Sequence, residues 1–187
     1  MRHVKTVLAR QVQDPSFAKM LLHNITPAVQ NISNILLSSV YSLDIRNSEN
    51  TWIPSDHWIC GFIWHYVMKA NNNNFKYDIN GIDGESLQYT RYSKDMYYNW
   101  HIDAGLTERS DDKPFTRKLS FSLQLSDHDD YEGGNVVLIN EHGKKYVTPR
   151  QKGTIVLFDS RTNHCVTKVR SGIRKSIVGW VVGPHWR

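Results

Sequence analysis

Two side chains that can bind a metal ion lie two residues apart, at His101 and Asp103, directly after the aromatic-rich run 96–100. In a β-strand, residues i and i+2 project from the same face, so this imidazole and this carboxylate would converge on one point. Two histidines and one carboxylate on one face of an octahedron leave three coordination positions open, which is typical of non-haem Fe(II) sites. The pattern therefore predicts a metal site that needs one more histidine from a separate strand.

The third ligand has three candidates, His142, His164 and His185. His142 precedes a glycine in an expected hairpin turn, and His185 lies in the C-terminal tail. His164 opens an expected strand, although without its neighbours a histidine that caps a loop end would be the default interpretation. The adjacent Cys165 is a further possible ligand, but a small buried residue is the preferred interpretation of that cysteine.

A second copy of the pattern, His128-Asp129-Asp130, shows that His-x-Asp alone is weak evidence. The chain holds nine histidines in 187 residues, so a pair of this kind is expected by chance. The copy lies in the loop-like stretch 126–134, where nothing would hold both side chains on one face. We interpret His128 as a solvated turn residue.

Arg174 follows His164 by ten residues, on the expected strand 174–182. If the metal binds 2-oxoglutarate through its keto-acid end, the far carboxylate needs a buried cation, and arginine supplies two parallel hydrogen bonds. Ser176 shares the strand face of Arg174 and can add a hydroxyl donor. Taken alone, Arg174 would be interpreted as an exposed strand charge, as Lys175 is.

The elements that must position these residues fall into two parts, and residues 1–74 are expected to be a helical support. Asp14-Pro15 has the pattern of an N-cap followed by proline at the first helical position. Ser55 predicts the start of a second, almost wholly apolar helix over 58–68, which ends in the asparagine run 71–74. After the first cap, apolar residues recur at helical spacing: Phe17, Met20, Leu21 and Ile25.

From residue 75 onward the hydrophobic period changes to that of β-strands, and residues 75–187 are expected to form the core of a barrel. Short alternating segments are separated by Gly, Asn, Asp and Pro, without intervening helices. This pattern predicts an antiparallel sandwich or barrel of about eight strands, with two helices packed on one face, in a single domain over 1–187. The candidate strands are 75–79, 85–92, 97–102, 117–125, 135–139, 145–148, 154–158, 165–170 and 174–182.

The expected strand 117–125 has two chemically distinct faces. A surface strand would show its polar face to water, whereas a strand in an enzyme barrel would turn that face into a wet cavity and pack its apolar face on the helices. The pattern favours the two interpretations equally. The apolar face holds Leu119, Phe121, Leu123 and Leu125, and the polar face holds Ser120, Ser122 and Gln124.

The composition limits the class of protein. With 40% hydrophobic and 11% aromatic residues, the chain can bury a core, and it holds no run of eighteen apolar residues that predicts a membrane span. Two cysteines cannot form a disulfide scaffold and the N-terminus lacks a signal-peptide pattern, so we expect a cytoplasmic protein, and a monomer. The formal net charge of +5 suits an anionic small molecule or nucleic acid without distinguishing them.

Seven motifs follow one another along about residues 85–183, and as an ordered set they are specific, although no single one is. They are Tyr92-x5-Tyr98-x2-His101-x-Asp103, Arg117-x2-Ser120, Leu125-Ser126-Asp127, Glu132-Gly133-Gly134, Pro149-x3-Gly153, His164 and Arg174. In this order they resemble the 2-oxoglutarate/Fe(II) dioxygenase domain of the prolyl 4-hydroxylase superfamily, and most closely its bacterial and viral PKHD-type hydroxylases.

The resemblance implies a double-stranded β-helix, or jelly-roll, barrel that is buttressed by two or more helices. It also implies that His101, Asp103 and His164 bind Fe(II), and it selects His164 over the other histidines. Arg174 would pair with the distal carboxylate of 2-oxoglutarate. Tyr92 matches a strand tyrosine whose hydroxyl commonly touches that cosubstrate.

Three further positions are expected to support the cosubstrate. Ser176 would add its hydroxyl beside the guanidinium, and Gln124 stands where many prolyl hydroxylases place tyrosine on the neighbouring strand. Glu132-Gly133-Gly134 would be a turn that lets the next strand lie close to the barrel.

The segment 104–116, which is polar and follows the metal motif, is interpreted either as a mobile lid or as an ordinary surface loop.

The reaction implied by the resemblance is hydroxylation of an unactivated C–H bond, in which O2 is consumed and 2-oxoglutarate is converted to succinate and CO2. The expected substrate is a prolyl residue of a peptide or protein, or a proline-like small molecule, and ascorbate is an expected reductant. One alternative is a nucleic-acid demethylase on the same fold, but such enzymes typically carry a second arginine where this chain has Trp180. The other alternative is a barrel that binds metal or ligand without catalysis.

Overall fold

The computed structural model of the chain describes residues 6–8, 38–42, 45–104 and 114–186. The helix predicted to begin at Asp14 lies outside these residues, and so does most of the segment that was interpreted as a lid. Within the described residues, no helix is both long enough and apolar enough to cross a membrane.

The described part of the chain consists of one α-helix, two short helical turns and fourteen strands. The helix is α1 (Trp58–Ala70), followed by a π-turn (Asn71–Phe75), and a 3-10 turn (Asp83–Glu85) precedes the fifth strand. The strands are β1 (Thr6–Leu8), β2 (Ser38–Ser42), β3 (Arg46–Ile53), β4 (Gly81–Ile82), β5 (Leu87–Tyr92), β6 (Tyr97–His101), β7 (Phe115–Gln124), β8 (Tyr131–Gly133), β9 (Val136–Ile139), β10 (Lys145–Val147), β11 (Ile155–Asp159), β12 (His164–Val166), β13 (Val169–Gly172) and β14 (Arg174–Pro184).

Twelve of these strands form one antiparallel sheet, in the order β1-β11-β7-β14-β5-β3-β6-β12-β9-β10, while β2 pairs with β3 and β4 pairs with β14. The remaining two, β8 and β13, pair with each other. Side chains from β7, β5 and β14 line the same cavity as side chains from β6, β9 and β12, so the sheet curls around that cavity. This is the predicted jelly-roll architecture, and the prediction of the fold is confirmed.

Helix α1 packs on the outer face of the curled sheet, as predicted. Its buried side chains recur every four residues, at Ile59, Ile63 and Val67, so they form one apolar stripe. That stripe belongs to the same buried cluster as the apolar face of β7. Fully burying each side chain of this size contributes about 1.5–3 kcal/mol, so the stripe is a main source of the energy that fixes the helix on the sheet.

The ends of α1 differ slightly from the prediction. The N-cap is His57, whose Nδ1 accepts a hydrogen bond from the backbone N–H of Ile59 at 3.3 Å, and not Ser55. The asparagine run forms a π-turn, which ends where Lys76 adopts a left-handed backbone with φ 55°. The side chain of Asn71 then exchanges two hydrogen bonds with the backbone of Tyr77, both 2.9 Å long. These bonds keep residues 76–80 in an irregular connection, and the strand predicted over 75–79 does not form.

Both faces of β7 are buried, which decides between the two interpretations of this strand. Leu119, Phe121 and Leu123 pack in the core with α1. Ser120 and Ser122, which alternate with them, are at most 8% exposed and face the interior of the curled sheet. The polar face therefore lines a cavity, as expected for a strand in an enzyme barrel.

The description of the first 74 residues as a helical support is wrong in part, because this region also contributes β1, β2 and β3 to the sheet. Strand β3 carries polar residues on both faces over most of its length, with Ser48 and Asn50 buried on the cavity side. It therefore lacks the alternation of apolar and polar residues from which a strand is predicted. The strand expected over 165–170 is divided into β12 and β13, and β8 was not predicted.

Candidate active site

The three predicted metal ligands lie together. His101 ends β6 and His164 begins β12, and antiparallel pairing makes these two residues direct partners across the ladder. Asp103 follows β6, and its backbone N–H donates to the carbonyl of Ser160 at 2.9 Å, which turns the chain so that the carboxylate faces both imidazoles. The Asp103 oxygens lie 3.6 Å from Nε2 of His101 and 3.4 Å from Nε2 of His164. All three ligand atoms are within 4.8 Å of one another.

Backbone carbonyls orient both imidazoles. Nδ1 of His101 lies 2.7 Å from the carbonyl oxygen of Asn99, and Nδ1 of His164 lies 2.9 Å from that of Thr162. In each case Nδ1–H is the donor, so Nε2 keeps its lone pair and directs it at the common point. This is the tautomer that a metal ligand needs, because the second ring nitrogen of such a histidine usually donates to a carbonyl or carboxylate.

The charges of the three ligands also suit a cation. Burial alone would raise the pKa of Asp103, but its interactions with His101, His164 and Ser120 outweigh that effect and lower the pKa to about 2. Burial lowers the pKa of His164, against the opposing effect of the Asp103 carboxylate. At neutral pH the site therefore offers an ionised carboxylate and a neutral imidazole, as a divalent metal requires.

Arg174 lies in the same cavity and is fully buried, with 2% exposure. Its guanidinium donates to two neutral hydroxyls, Ser176 Oγ at 3.1 Å and Ser122 Oγ at 3.4 Å. Among the described residues it has no ion pair with a carboxylate. Burial lowers the pKa of Arg174, which reflects the cost of keeping an uncompensated charge away from water. A buried cation of this kind needs an anionic ligand.

The glycine turn that was expected to bring the next strand close to the barrel does so around Arg174. Gly133 and Gly134 have φ values of 74° and 58°, in the left-handed region that favours glycine. A Cβ on Gly133 would lie 2.2 Å from the carbonyl oxygen of Lys168, and one on Gly134 would lie 3.2 Å from Cδ of Arg174. The turn therefore packs directly against the arginine side chain.

The other predicted cosubstrate residues divide into two groups. Tyr92, which pairs with Arg174 in the ladder between β5 and β14, lines the cavity, and its ring centre lies 5.6 Å from Cζ of Arg174. Ser176 and Gln124 are not among the residues that line the cavity. Ser176 contacts the guanidinium from the side, and the Gln124 amide donates to the hydroxyl of Tyr131 at 2.9 Å. Gln124 therefore supports Tyr131, which packs beside Gly134 in the glycine turn next to Arg174.

Several cavity residues were not predicted from the sequence. Ser122 was assigned to a strand face but not to Arg174, and Arg46 and Gln88 were not singled out. Gln88 alternates with Thr90 and Tyr92 on β5, so the inward face of that strand, once recognised, would have identified it. Arg46 had no such signal, because β3 was not predicted.

The residues considered as alternative ligands, His128, His142 and Cys165, are not among those that line the cavity. His128 stands in an exposed turn, where Asp127 lies 2.8 Å and Asp129 3.3 Å from its two ring nitrogens. His142 is exposed in the turn between β9 and β10. Cys165 is a buried free thiol whose pKa is raised by burial, as expected for a packing residue.

The aromatic residues before His101 divide between the cavity and the solvent. The pairing of β6 with β12 shifts register between Tyr98 and His101, so simple alternation does not hold in this short strand. Tyr98 lines the cavity and stacks on His101, with ring centres 3.5 Å apart and an angle of 16° between the planes. Trp100 is 39% exposed. Only Tyr98 of the aromatic residues at 97, 98 and 100 is thus a wall of the site.

The donor set fits Fe(II) because two imidazoles and one ionised carboxylate converge on one point. The position of Arg174 in the same cavity fits the far carboxylate of 2-oxoglutarate. The enclosed part of the cavity is small, about 50 Å³, and it is lined mainly by apolar side chains on the walls away from the ligands. These walls exclude water from the space between the ligands and the arginine.

Comparison with known proteins identifies the same chemistry. A family model described as the 2OG-Fe(II) oxygenase superfamily matches residues 87–182, which is just over half of the chain. A PKHD-type hydroxylase of Synechococcus sp. (strain CC9605) is 40% identical over 146 residues, which cover 75% of this chain and 54% of that protein. The chain thus spans about half the length of this curated relative.

Solved structures share the fold. A prolyl-4-hydroxylase of Pseudomonas putida superposes with a TM-score of 0.69 at 18% identity, covering 89% of this chain and 88% of the other. A prolyl hydroxylase of Trichoplax adhaerens, in complex with a peptide fragment of the hypoxia inducible factor oxygen degradation domain, gives 0.70 at 18% identity over 94% and 82% of the two chains. With the family match and the site geometry in agreement, the chain belongs to the 2OG-Fe(II) oxygenase superfamily.

Proposed function

We propose that this protein is an Fe(II)- and 2-oxoglutarate-dependent hydroxylase. Its substrate would be a prolyl residue of a peptide or protein, or a proline-like small molecule. One observation carries the proposal. A converging His-Asp-His site and a fully buried arginine without an anionic partner among the described residues share one cavity. A metal-binding barrel without catalysis would not need that second feature.

The residues of the chain prepare the site for its cosubstrates. When bound, Fe(II), 2-oxoglutarate and O2 supply the chemistry that couples release of succinate and CO2 to hydroxylation of a C–H bond. His101, Asp103 and His164 would hold the metal on one face, since the carbonyls behind the two imidazoles fix both rings. Arg174 would bind the distal carboxylate and so fix the orientation of the keto acid.

The walls of the cavity control what reaches the metal. Val136, Phe158 and Val166, which belong to one buried cluster, line the cavity together with Val178 and Trp180. These apolar side chains exclude water and strengthen the electrostatic interactions inside. Trp180 also occupies the position where a demethylase would carry its second arginine, and Cζ of Arg117 lies 4.1 Å from the centre of its indole ring.

The choice of a prolyl or proline-like substrate is supported by the relatives. The similar curated proteins are named PKHD-type hydroxylases, and the similar structures are named prolyl hydroxylases, one of them in complex with a peptide. An aromatic wall formed by Tyr98 and Trp180 suits the ring of proline, since aromatic-lined grooves are a common means of recognising it.

The experiment that tests the function is anaerobic loading with Fe(II) and 2-oxoglutarate, followed by exposure to O2 with prolyl peptides, free proline or oligonucleotides. Succinate release that depends on Fe(II), O2 and a prolyl substrate is the expected result, and added ascorbate should prolong turnover. Ser171→Ala on exposed β13 is a control that leaves the site intact. If His101→Ala retains both metal binding and substrate-dependent succinate release, the assignment is wrong.

A further inference from the structure

A second guanidinium, that of Arg46 on β3, also lines the cavity. It is held by three short hydrogen bonds to neutral side chains. Nε donates to Ser48 Oγ, and Nη2 donates to both Asn50 Oδ1 and Gln88 Oε1, each at 2.7 Å. Cζ also lies 4.7 Å from the centre of the Tyr98 ring. These contacts fix the orientation of a long side chain that is otherwise free to rotate in several bonds.

One nitrogen of this guanidinium, Nη1, makes no hydrogen bond to a described residue. Nε and both protons of Nη2 have acceptors, whereas no hydrogen bond among the described residues uses Nη1. The described part of the chain also gives Arg46 no carboxylate partner, since the nearby Glu49 pairs with Arg91. The contacts therefore orient the cation without neutralising it, and they leave two N–H groups for a ligand.

Arg46 is close to the metal ligands. The distances of 4.7 Å from Cζ to the Tyr98 ring and 3.5 Å from that ring to His101 place Cζ at most about 8 Å from the His101 ring. Arg174, by contrast, is bound by hydroxyls of β14 and β7. The cavity thus presents two cations on separate supports, of which the proposed cosubstrate uses one.

In the site loaded with Fe(II) and 2-oxoglutarate, the positive charge of Arg46 would have no negative counterpart. The two positive charges of Fe(II) and the one of Arg174 would be balanced by Asp103 and the 2-oxoglutarate dianion. No other acidic side chain lines the cavity among the described residues. A half-buried cation beside an apolar wall favours a ligand that brings one negative charge.

We propose that Arg46 recognises a carboxylate of the substrate and so selects an anionic substrate over its neutral analogue. This inference rests on the proposed function, and it concerns the substrate class of the same site. Two sources carry the same chemistry: the α-carboxylate of free proline, and an acidic side chain next to the proline of a peptide. An oriented cation with two free N–H groups on Nη1 suits a carboxylate oxygen in both cases.

The test uses two pairs of probes that differ mainly in charge. One pair is L-proline and L-prolinamide, and the other is a blocked peptide with the sequence Gly-Pro-Glu-Gly and its Gly-Pro-Gln-Gly analogue. Binding to the full chain, loaded with Fe(II) and 2-oxoglutarate without O2, is measured by calorimetry. Since a hydrogen bond to a charged group typically contributes enough to shift an equilibrium about tenfold or more, the acidic member of at least one pair should bind at least about tenfold tighter.

Three variants assign the preference to Arg46. Arg46→Gln should reduce it to less than about threefold, and Arg46→Lys, which keeps the charge, should retain part of it. Arg91→Gln is the matched control, because Arg91 lies on the adjacent strand β5 and pairs with Glu49 instead of lining the cavity. That variant should bind all four probes as the wild type does.

The outcomes separate this proposal from the function on which it rests. A wild type that does not bind 2-oxoglutarate contradicts the proposed function. A wild type that binds 2-oxoglutarate but binds neither pair, or binds both members of each pair equally, overturns the role of Arg46. The same conclusion follows if Arg46→Gln keeps the full preference. Which pair shows the preference identifies the source of the carboxylate.

Discussion

Replacement of the buried arginine should make the empty protein more stable and at the same time impair cosubstrate binding. Arg174→Met keeps most of the length and the apolar stem of the side chain and removes the guanidinium. In the absence of ligand this charge is only 2% exposed and is held by two serine hydroxyls at 3.1 and 3.4 Å. Its removal eliminates a desolvated cation, and no described carboxylate loses its partner.

We expect the substitution to raise the free energy of unfolding and to lower the affinity for 2-oxoglutarate. Replacing buried charged groups by apolar residues of similar volume is often neutral or stabilising by about 1–4 kcal/mol, and the two hydroxyls left behind offset part of that gain. We therefore expect Arg174→Met to increase the free energy of unfolding by about 1–2 kcal/mol. Loss of a bidentate, charge-assisted pair with the 2-oxoglutarate carboxylate should cost about 3–5 kcal/mol of binding, or at least a hundredfold in affinity.

Urea unfolding of the metal-free protein measures the first quantity, and calorimetric titration of the anaerobic Fe(II) protein with 2-oxoglutarate measures the second. Lys175→Met is the matched control, since Lys175 is the next residue on β14 and is only partly buried. That substitution should change stability by no more than about 0.5 kcal/mol and leave affinity unchanged. A large loss of stability in Arg174→Met, or an unaltered affinity for 2-oxoglutarate, would refute the reasoning.

Three further substitutions test the support of the site. Asp103→Asn removes the one anionic ligand, so affinity for Fe(II), or for Mn(II) as a substitute, should fall at least roughly 100-fold in calorimetry. Asp159 is fully buried and accepts hydrogen bonds from Arg161. Burial opposes its ionisation, but these contacts lower its pKa below the ordinary value of an aspartate. Its ionised form therefore adds stability above about pH 4 that is lost as the pH falls. Asp159→Asn should cost about 2 kcal/mol at pH 7, and this cost should decrease as the pH is lowered below about 4 in urea unfolding. Gly134→Ala combines a φ of 58° with side-chain atoms 3.0 to 3.2 Å from the new Cβ, whereas Gly143→Ala has a φ of 73° in open space. Both should lose about 1–2 kcal/mol of stability in the same assay, but only Gly134→Ala should also weaken 2-oxoglutarate binding.

The convergence of His101, Asp103 and His164, and the burial of Arg174 in the same cavity, could be predicted from the sequence. The His-x-Asp spacing predicts that His101 and Asp103 converge, although Asp103 lies just after β6 and is turned toward the imidazoles by its bond to Ser160. The order of motifs selects His164 and Arg174. Helix α1 was likewise predicted from its almost wholly apolar run, but that run does not itself select the face that is buried. Such signals survive folding because the element that carries them determines which side chains point the same way.

Other features could not be predicted because they depend on single side-chain hydrogen bonds that composition and periodicity do not reveal. The strand expected over 75–79 is prevented by the Asn71 side chain, which bonds to the backbone of Tyr77. The role of Gln124 depends on Tyr131, which lies in a stretch that has the composition of a loop. In both cases a polar side chain competes with regular backbone pairing, and composition does not show which of the two prevails.

Strand β3 was missed for a reason that is linked to the chemistry of the site. A sheet face that lines a cavity for charged ligands must itself be polar, so the strand shows no alternation of apolar and polar residues. Ser48 and Asn50 are buried because they hold Arg46, just as the Ser122 and Ser176 hydroxyls hold Arg174. Each network orients a cation through neutral oxygens and leaves its charge for a ligand. The part of the sheet that is hardest to recognise from hydrophobic pattern is therefore the part that we expect to determine which anions the cavity accepts.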